Sequence, residues 1–201
     1  GDPGRGSGGG ILTLGDLTLI DSIIRQNHAT YNGGGIHNGN RGIILNRVGI
    51  TQNSIGGGHG GGVNVGGGMT ATNTTISDNV APLGPGEISA EGKVHLNNST
   101  VAHGLGGGPG AIGISSTGGL VILENSIVFG KRLGACGGGD DGYVSRGHNL
   151  FGRTCDFPRA PTDINVTDVG VGEFLLPLGY QPILSDSPAI GNGNPLTCAS
   201  V

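Results

Sequence analysis

Hydrophobic and polar residues follow one short pattern five times along the chain. Apolar residues occupy its first, third and eighth positions, and a polar residue occupies the fifth. The copies are LTLIDSII (17–24), IILNRVGI (43–50), MTATNTTI (69–76), VHLNNSTV (94–101) and VILENSIV (121–128), and their starts are 26, 26, 25 and 27 residues apart. Apolar residues that alternate with a period of two predict β-strands, and no segment has sustained helical periodicity.

A glycine-rich turn recurs with the same period. In each copy it precedes one aliphatic residue, at Ile11, Ile36, Val63, Ile88 and Ile112. The 46 glycines and 10 prolines among 201 residues would be typical of a low-complexity chain if they had no period. Because 34% of residues are hydrophobic and only 12% are charged, the composition is unlike that of disordered chains. We therefore expect glycine at tight corners, where backbones stack closely and φ can be positive.

A repeat of about 25 residues with short strands and glycine-rich corners is typical of one coil of a parallel β-helix. We therefore predict a single all-β domain: a right-handed parallel β-helix of about five regular coils (1–130) that continues into an irregular C-terminal cap (131–201). Equivalent residues then stack about 4.8 Å apart. Two internal aliphatic ladders are predicted, one formed by Leu19, Leu45, Ala71, Leu96 and Leu123, the other by Ile24, Ile50, Ile76, Val101 and Val128.

Asparagine recurs three residues after the last apolar position, at Asn27, Asn53 and Asn79. Stacked amides can hydrogen-bond along the helix axis, so we expect an asparagine ladder; the alternative is that these residues only form turns. Gly104 and Lys131 occupy the position in later copies, so the ladder should stop after three coils.

A second polar column occupies the fifth position of the pattern. It contains Asp21, Arg47, Asn73, Asn98 and Asn125. Asp21 then faces Arg47, and the other members of the column are neutral. This favours a solvated face that contains an Asp21–Arg47 pair over a catalytic site. The outward column Thr18, Ile44, Thr70, His95 and Ile122 is not a threonine array, which argues against ice binding.

The repeated NGGGI and N-x-T-I-x-x-N phrases resemble glycine-rich β-helix proteins of bacterial surfaces, including polymorphic outer-membrane and autotransporter-like passengers. The tail, with CGGGDDGYVSRGHNLFGRTC (136–155) and LLPLGYQPILSDSPAIGNG (175–193), is similar to the end of proteins with a choice-of-anchor Q domain. In that family the tail ends Ser-Pro-Ala-Ile-Asp-x-Gly, whereas Gly191 stands here at the aspartate position. The resemblance implies a β-helix at the cell surface and does not imply an activity.

The same resemblance implies a disulfide between Cys136 and Cys155, which match the family's cysteine pair and flank a glycine-rich loop. The cap would then be closed by a disulfide, in an oxidising, extracellular setting. Cys198 is left over, which indicates an intermolecular disulfide or a free thiol. The sequence has no apparent signal peptide or membrane span, and its opening GDPGRGSGGG resembles the corner of a preceding coil, so we expect a piece of a longer precursor.

The sequence predicts no catalytic, cofactor-binding or metal-binding constellation. Enzymes of acidic polysaccharides with this fold need carboxylates gathered on one ladder, and none is apparent. Asp140 and Asp141 are weak candidates for calcium ligands in a glycine loop. The six histidines lack metal-type spacing, and there is no phosphate-binding loop or basic patch for nucleic acid.

Asn73, Asn98 and Asn165 each begin an N-x-[ST] glycosylation acceptor triplet, as does Asn97. Asparagine-rich turns also produce such triplets by chance.

We expect a secreted or cell-surface structural protein, a subunit of a fibre or scaffold that assembles head to tail through bare β-helix ends and that Cys198 can lock covalently. The alternatives are an adhesin that binds surface glycans or other cells, and a remnant polysaccharide lyase or hydrolase. No cofactor, nucleic acid partner or membrane span is expected.

Overall fold

The predicted all-β fold is confirmed: the chain forms a β-solenoid of parallel, stacked coils. The computed structural model describes residues 6–107, 112–114, 119–130, 136–137, 142–152, 155, 157–176 and 178–198. Each coil contributes strands to parallel sheets, and strands that are neighbours in a sheet come from successive coils.

In the described residues, three sheets run along the solenoid. The first contains β1 (Ile11–Thr13), β4 (Ile36–Asn38), β7 (Val63–Val65), β11 (Ile88–Ala90), β15 (Ile112–Ile114) and β18 (Cys136–Gly137). The second begins with the long strands β2 (Leu17–Arg25) and β5 (Ile43–Thr51). Beyond these it divides at a corner into β8 (Met69–Thr72), β12 (Val94–Asn97), β16 (Val121–Glu124) and β19 (Tyr143–Ser145) before the corner, and β9 (Thr75–Ser77), β13 (Thr100–Ala102), β17 (Ile127–Phe129), β20 (Leu150–Gly152) and β21 (Ile164–Val166) after it. The third contains β3 (His28–Ala29), β6 (Ser54–Ile55), β10 (Val80–Ala81) and β14 (Leu105–Gly106).

The strand registers confirm both predicted aliphatic ladders. Leu19 pairs with Leu45, which pairs with Ala71, and the column continues through Leu96 to Leu123. The column that begins at Ile24 continues to Val128 in the same way. From the second coil onward these side chains are completely or almost completely buried. The hydrophobic effect along these columns holds the coils together.

The glycine triplets lie at corners, as expected. Gly33 has a φ of 61°, and a Cβ there would lie 2.2 Å from the carbonyl oxygen of Ile36. A Cβ on Gly34 would lie 2.4 Å from the carbonyl oxygen of Gly61 in the next coil. Only a residue without a side chain fits where two backbones pass this closely.

The ladders continue beyond residue 131. Cys136 stacks on Ile112, Tyr143 on Val121 and Leu150 on Ile127. Below the last coil, the ring of Phe157 stacks on Tyr143 with centroids 4.8 Å apart. The Arg159 guanidinium lies 4.5 Å from the centre of the Phe151 ring. These residues form an aromatic layer that covers the core at this end.

The later part of the C-terminal segment packs along the side of the solenoid. Antiparallel bridges between Val171 and Ile183 and between Leu175 and Tyr180 form a hairpin, which we call the flank hairpin (169–184). The hairpin contacts the second coil at Gly49. The ring of Phe174 and the carbonyl oxygen of Gly179 approach Gly49 so closely that a Cβ there would lie 2.5 and 2.7 Å from them. A short helix, α1 (Pro195–Cys198), follows.

Candidate functional site

The predicted asparagine ladder is present; Asn53 and Asn79 are fully buried, and Asn27 is partly buried. Oδ1 of Asn53 accepts hydrogen bonds from the main-chain and side-chain amides of Asn27, each at 3.0 Å. Asn79 accepts the corresponding bonds from Asn53 at 2.9 and 3.0 Å. These side chains therefore satisfy main-chain amides at a corner where strand pairing is interrupted.

A carboxyl group, which the sequence analysis missed, ends this ladder. Glu87 is fully buried, and its oxygens accept hydrogen bonds from the main-chain and side-chain amides of Asn79. Gly104 leaves the room for it, since a Cβ there would lie 2.8 Å from Cγ of Glu87. Burial raises the pKa of Glu87 well above its usual value.

The second polar column occupies a corner of left-handed backbone. Its members have φ angles between 47° and 57° and are Asp21, Arg47, Asn73, Asn98, Asn125 and, in the next coil, His148. Asparagine and aspartate tolerate this conformation better than most residues. We call these six residues the corner column.

Hydroxyl groups form a buried ladder immediately behind the corner column. Oγ1 of Thr74 accepts from the amide of Val48 at 3.4 Å, Oγ of Ser99 from that of Thr74 at 3.2 Å, and Oγ of Ser126 from that of Ser99 at 3.1 Å. Asn149 continues the series by accepting from Ser126 at 2.9 Å. The sequence signal is a hydroxyl residue directly after the corner asparagine, in Asn73-Thr, Asn98-Ser and Asn125-Ser.

The corner column forms one wall of a groove, and the flank hairpin together with residues 191–193 forms the other. One cavity of about 910 Å³ extends from Asp21 and Arg47 to Thr100, opposite Leu178–Ile183. A second, of about 580 Å³, extends from Asn73 to His148, opposite 191–193. Both cavities are lined by Asn73, Asn98, Thr100 and Ile183, so they adjoin each other along the corner column. We call the two adjoining cavities together the flank groove.

The predicted Asp21–Arg47 pair lies at one end of the flank groove. The guanidinium donates to both carboxylate oxygens, at 2.5 and 2.8 Å. This hydrogen-bonded pairing lowers the pKa of Asp21 and raises that of Arg47. The interpretation of the column as an open, solvated face is incomplete, because the flank hairpin encloses Asn73 and Asn98 on one side.

The structure joins Cys136 and Cys155, as the family resemblance implies. The calcium candidates Asp140 and Asp141 lie outside the described residues. Cys198 ends α1, and its side chain also lies outside the description. Of the acceptor asparagines, Asn73 and Asn98 line the flank groove and Asn165 is exposed on β21.

Among the described residues, no three histidine, cysteine, aspartate or glutamate side chains are grouped so that they could hold a metal ion. Across the same residues, no helix has the length and apolar character needed to cross a membrane. Comparisons with models of protein families, with curated proteins and with solved structures gave no match.

Proposed function

We propose that this chain is a structural protein of the extracellular space and that the open strand edge of its first described coil pairs with another copy. The proposal rests on the outer strand edges of that coil, which are unpaired in the described chain. Within the described chain, β1 pairs only with β4, and β2 only with β5. An unpaired strand edge is a template for another strand.

Core side chains of the first coil are also partly uncovered. Ile11, Leu17 and Leu19 are partly exposed, whereas Ile36, Ile43 and Leu45, their equivalents in the second coil, are at most 1% exposed. A further coil stacked on the first would bury this aliphatic surface, and burial of apolar area favours association.

The opposite end has a different surface. There the rings of Tyr143, Phe151 and Phe157 are at most 7% exposed and cover the core, and the edge of β19 beside them pairs, among described strands, only with β16. The first coil of one copy that meets the β19 edge of another makes a heterologous contact, and such contacts generate filaments unless the rotation closes a ring. The Cys136–Cys155 disulfide supports an oxidising compartment for the assembly.

Sedimentation velocity over a range of protein concentrations tests this proposal with two matched variants. Ile11→Lys places a charge on the inward position of β1, and Leu12→Lys places the same charge on the neighbouring outward position, which is 51% exposed. We expect the parent and Leu12→Lys to self-associate and Ile11→Lys to remain monomeric. A parent that stays monomeric at all concentrations contradicts end-to-end assembly.

The second candidate function is adhesion through surface glycans, which the flank groove supports. Concave sites that combine apolar surface with a few oriented polar groups are typical binding sites. Retention of the parent on immobilised cell-wall polysaccharides, with its loss in a groove variant, would test this candidate.

A further inference from the structure

We propose that the flank groove binds an extended, uncharged oligosaccharide that lies along the corner column. The proposal rests on the adhesive candidate function, for which it names the site and the ligand class. Four features of the groove support it: amide groups, charge balance, apolar surface and length.

Carboxamide groups line the solenoid wall, and hydrogen bonds hold those of Asn98 and Asn125. Oδ1 of Asn98 accepts a hydrogen bond from Nδ2 of Asn125, and Oδ1 of Asn125 accepts one from the amide of Asn194 at 2.9 Å. The side chain of Asn73 lines both cavities and has no hydrogen bond to another described residue. A carboxamide offers a donor pair and an acceptor, which suits sugar hydroxyl groups because they also donate and accept.

The groove has no net charge to attract an ionic ligand. Asp21 and Arg47 neutralise each other, and the other described lining residues of the corner column are asparagines and His148, whose Nδ1 lies 3.0 Å from the carbonyl oxygen of Asn192. The whole chain carries a net charge of −4. Nucleic acids and acidic polysaccharides therefore gain no electrostatic attraction here.

The hairpin wall presents apolar surface opposite the amides. Tyr180 and Ile183 are about half exposed, and Leu178 is more exposed. An aromatic ring with a polar hydroxyl contributes apolar contact area and a hydrogen-bonding group together. Amides on one wall and apolar surface on the other match a sugar ring, which has hydroxyl groups at its edge and C–H groups on its faces.

The length of the groove favours a chain over a single sugar. Asn125 and His148 contact residues 192–194, so the open part of the corner column extends from Asp21 to Asn98, and three coil spacings of about 4.8 Å give it a length of about 14 Å. Asn73 and Asn98 present equivalent amides along this line, and affinity should therefore rise with the number of sugar units until the groove is filled.

Isothermal titration calorimetry with neutral oligosaccharides tests the proposal. The probes are cello-, xylo-, manno- and chito-oligosaccharides from disaccharide to hexasaccharide, with oligogalacturonate as the acidic comparison. We expect at least one neutral series to bind with an affinity that increases with length, and oligogalacturonate to bind more weakly. Failure of every neutral series, or a preference for oligogalacturonate, overturns the proposal.

Glycine variants locate the ligand without straining the backbone. Asn73→Gly and Asn98→Gly remove the amides, and glycine accepts their φ of 50° and 47°. Gln52→Gly is the matched control, because Gln52 has a φ of 56°, is exposed and does not line the groove. Loss of amide hydrogen bonds should weaken hexasaccharide binding at least about tenfold in each groove variant and not in the control.

Two outcomes separate this proposal from the adhesive function. If the parent adheres to glycans and Asn73→Gly and Asn98→Gly adhere equally well, adhesion stands and the groove is not its site, which overturns the inference. If the groove variants lose soluble hexasaccharide binding but the parent does not adhere to immobilised polysaccharide, the inference stands and the adhesive function fails.

Discussion

Replacement of Asn53 by alanine should cause one of the largest losses of stability available to a single polar substitution in this chain. Asn53 is fully buried at the centre of the asparagine ladder. Its Oδ1 accepts from the two amides of Asn27, and its Nδ2 donates to the carbonyl oxygen of Ile24 and to Oδ1 of Asn79, both at 3.0 Å. Alanine removes all four hydrogen bonds and leaves their partners in place.

The expected magnitude follows from those partners. The main-chain amide of Asn27 loses its side-chain acceptor, and the carbonyl of Ile24 loses one donor. A buried polar group left unsatisfied costs about 1–3 kcal/mol, and each remaining lost hydrogen bond about 1 kcal/mol. We therefore expect Asn53→Ala to lower the free energy of unfolding by about 3–5 kcal/mol.

Urea denaturation of the oxidised protein measures this difference. Asn46→Ala is the matched control, since Asn46 lies outward on β5 of the same coil and, among described residues, its side chain accepts one hydrogen bond, from Arg47 at 3.3 Å. The control should change stability by no more than about 0.5 kcal/mol. Asn53→Asp retains the shape and replaces the donor by an acceptor, so it should be at least as unstable as Asn53→Ala at neutral pH. A loss below about 1 kcal/mol for Asn53→Ala would refute the structural role of the ladder.

Four further predictions follow from the core, the buried acid, the disulfide and the expected lack of catalysis. Ile76→Asp buries a charge in an aliphatic ladder and should cost at least about 4 kcal/mol in urea denaturation, whereas the outward Thr72→Asp should cost little. Burial raises the pKa of Glu87 above its usual 4.5, so the native state holds a proton that the unfolded chain releases first. Its contribution to stability is present below about pH 4.5 and is lost as the pH rises toward the raised pKa; Glu87→Gln should abolish this slope in denaturation series across pH. Reduction of the Cys136–Cys155 disulfide, which spans 19 residues, should lower the unfolding free energy by about 3 kcal/mol, and equal stability with and without reductant would contradict this. Incubation with pectin or alginate, with and without calcium, should yield no unsaturated or newly reducing products; turnover would favour the enzymatic alternative.

The coils and their register were predictable because one pattern carries them. The period near 26 residues, together with apolar alternation, assigns Leu19, Leu45 and Ala71 to one column, and strand pairing reproduces that column. Three asparagines with the same period also sufficed to predict the ladder. Short-range periodicity is therefore enough where every coil repeats the same environment.

Features that do not repeat escaped prediction. Glu87 occurs once, and its burial depends on the space at Gly104, a residue that is distant in sequence. The flank hairpin has no counterpart in any coil, and its contact between Phe174 and Gly49 joins segments more than a hundred residues apart in the chain. A periodic pattern contains no information about such single, long-range contacts, which is why the corner column was interpreted as an open face.

The Glu87–Gly104 arrangement gives the asparagine ladder a direction. The bonds from one ladder residue to the next all run toward later coils and end at a carboxyl group that accepts from both amides of Asn79. The side-chain amides of Asn53 and Asn79 use their second N–H for the carbonyl oxygens of Ile24 and Ile50 in the preceding coil. Extension of the ladder by an asparagine at 104 would collide with the side chain of Glu87. The two positions are therefore constrained as a pair, and among relatives of this chain they should covary: asparagine at 104 with a glycine at 87, or glycine at 104 with an acid at 87.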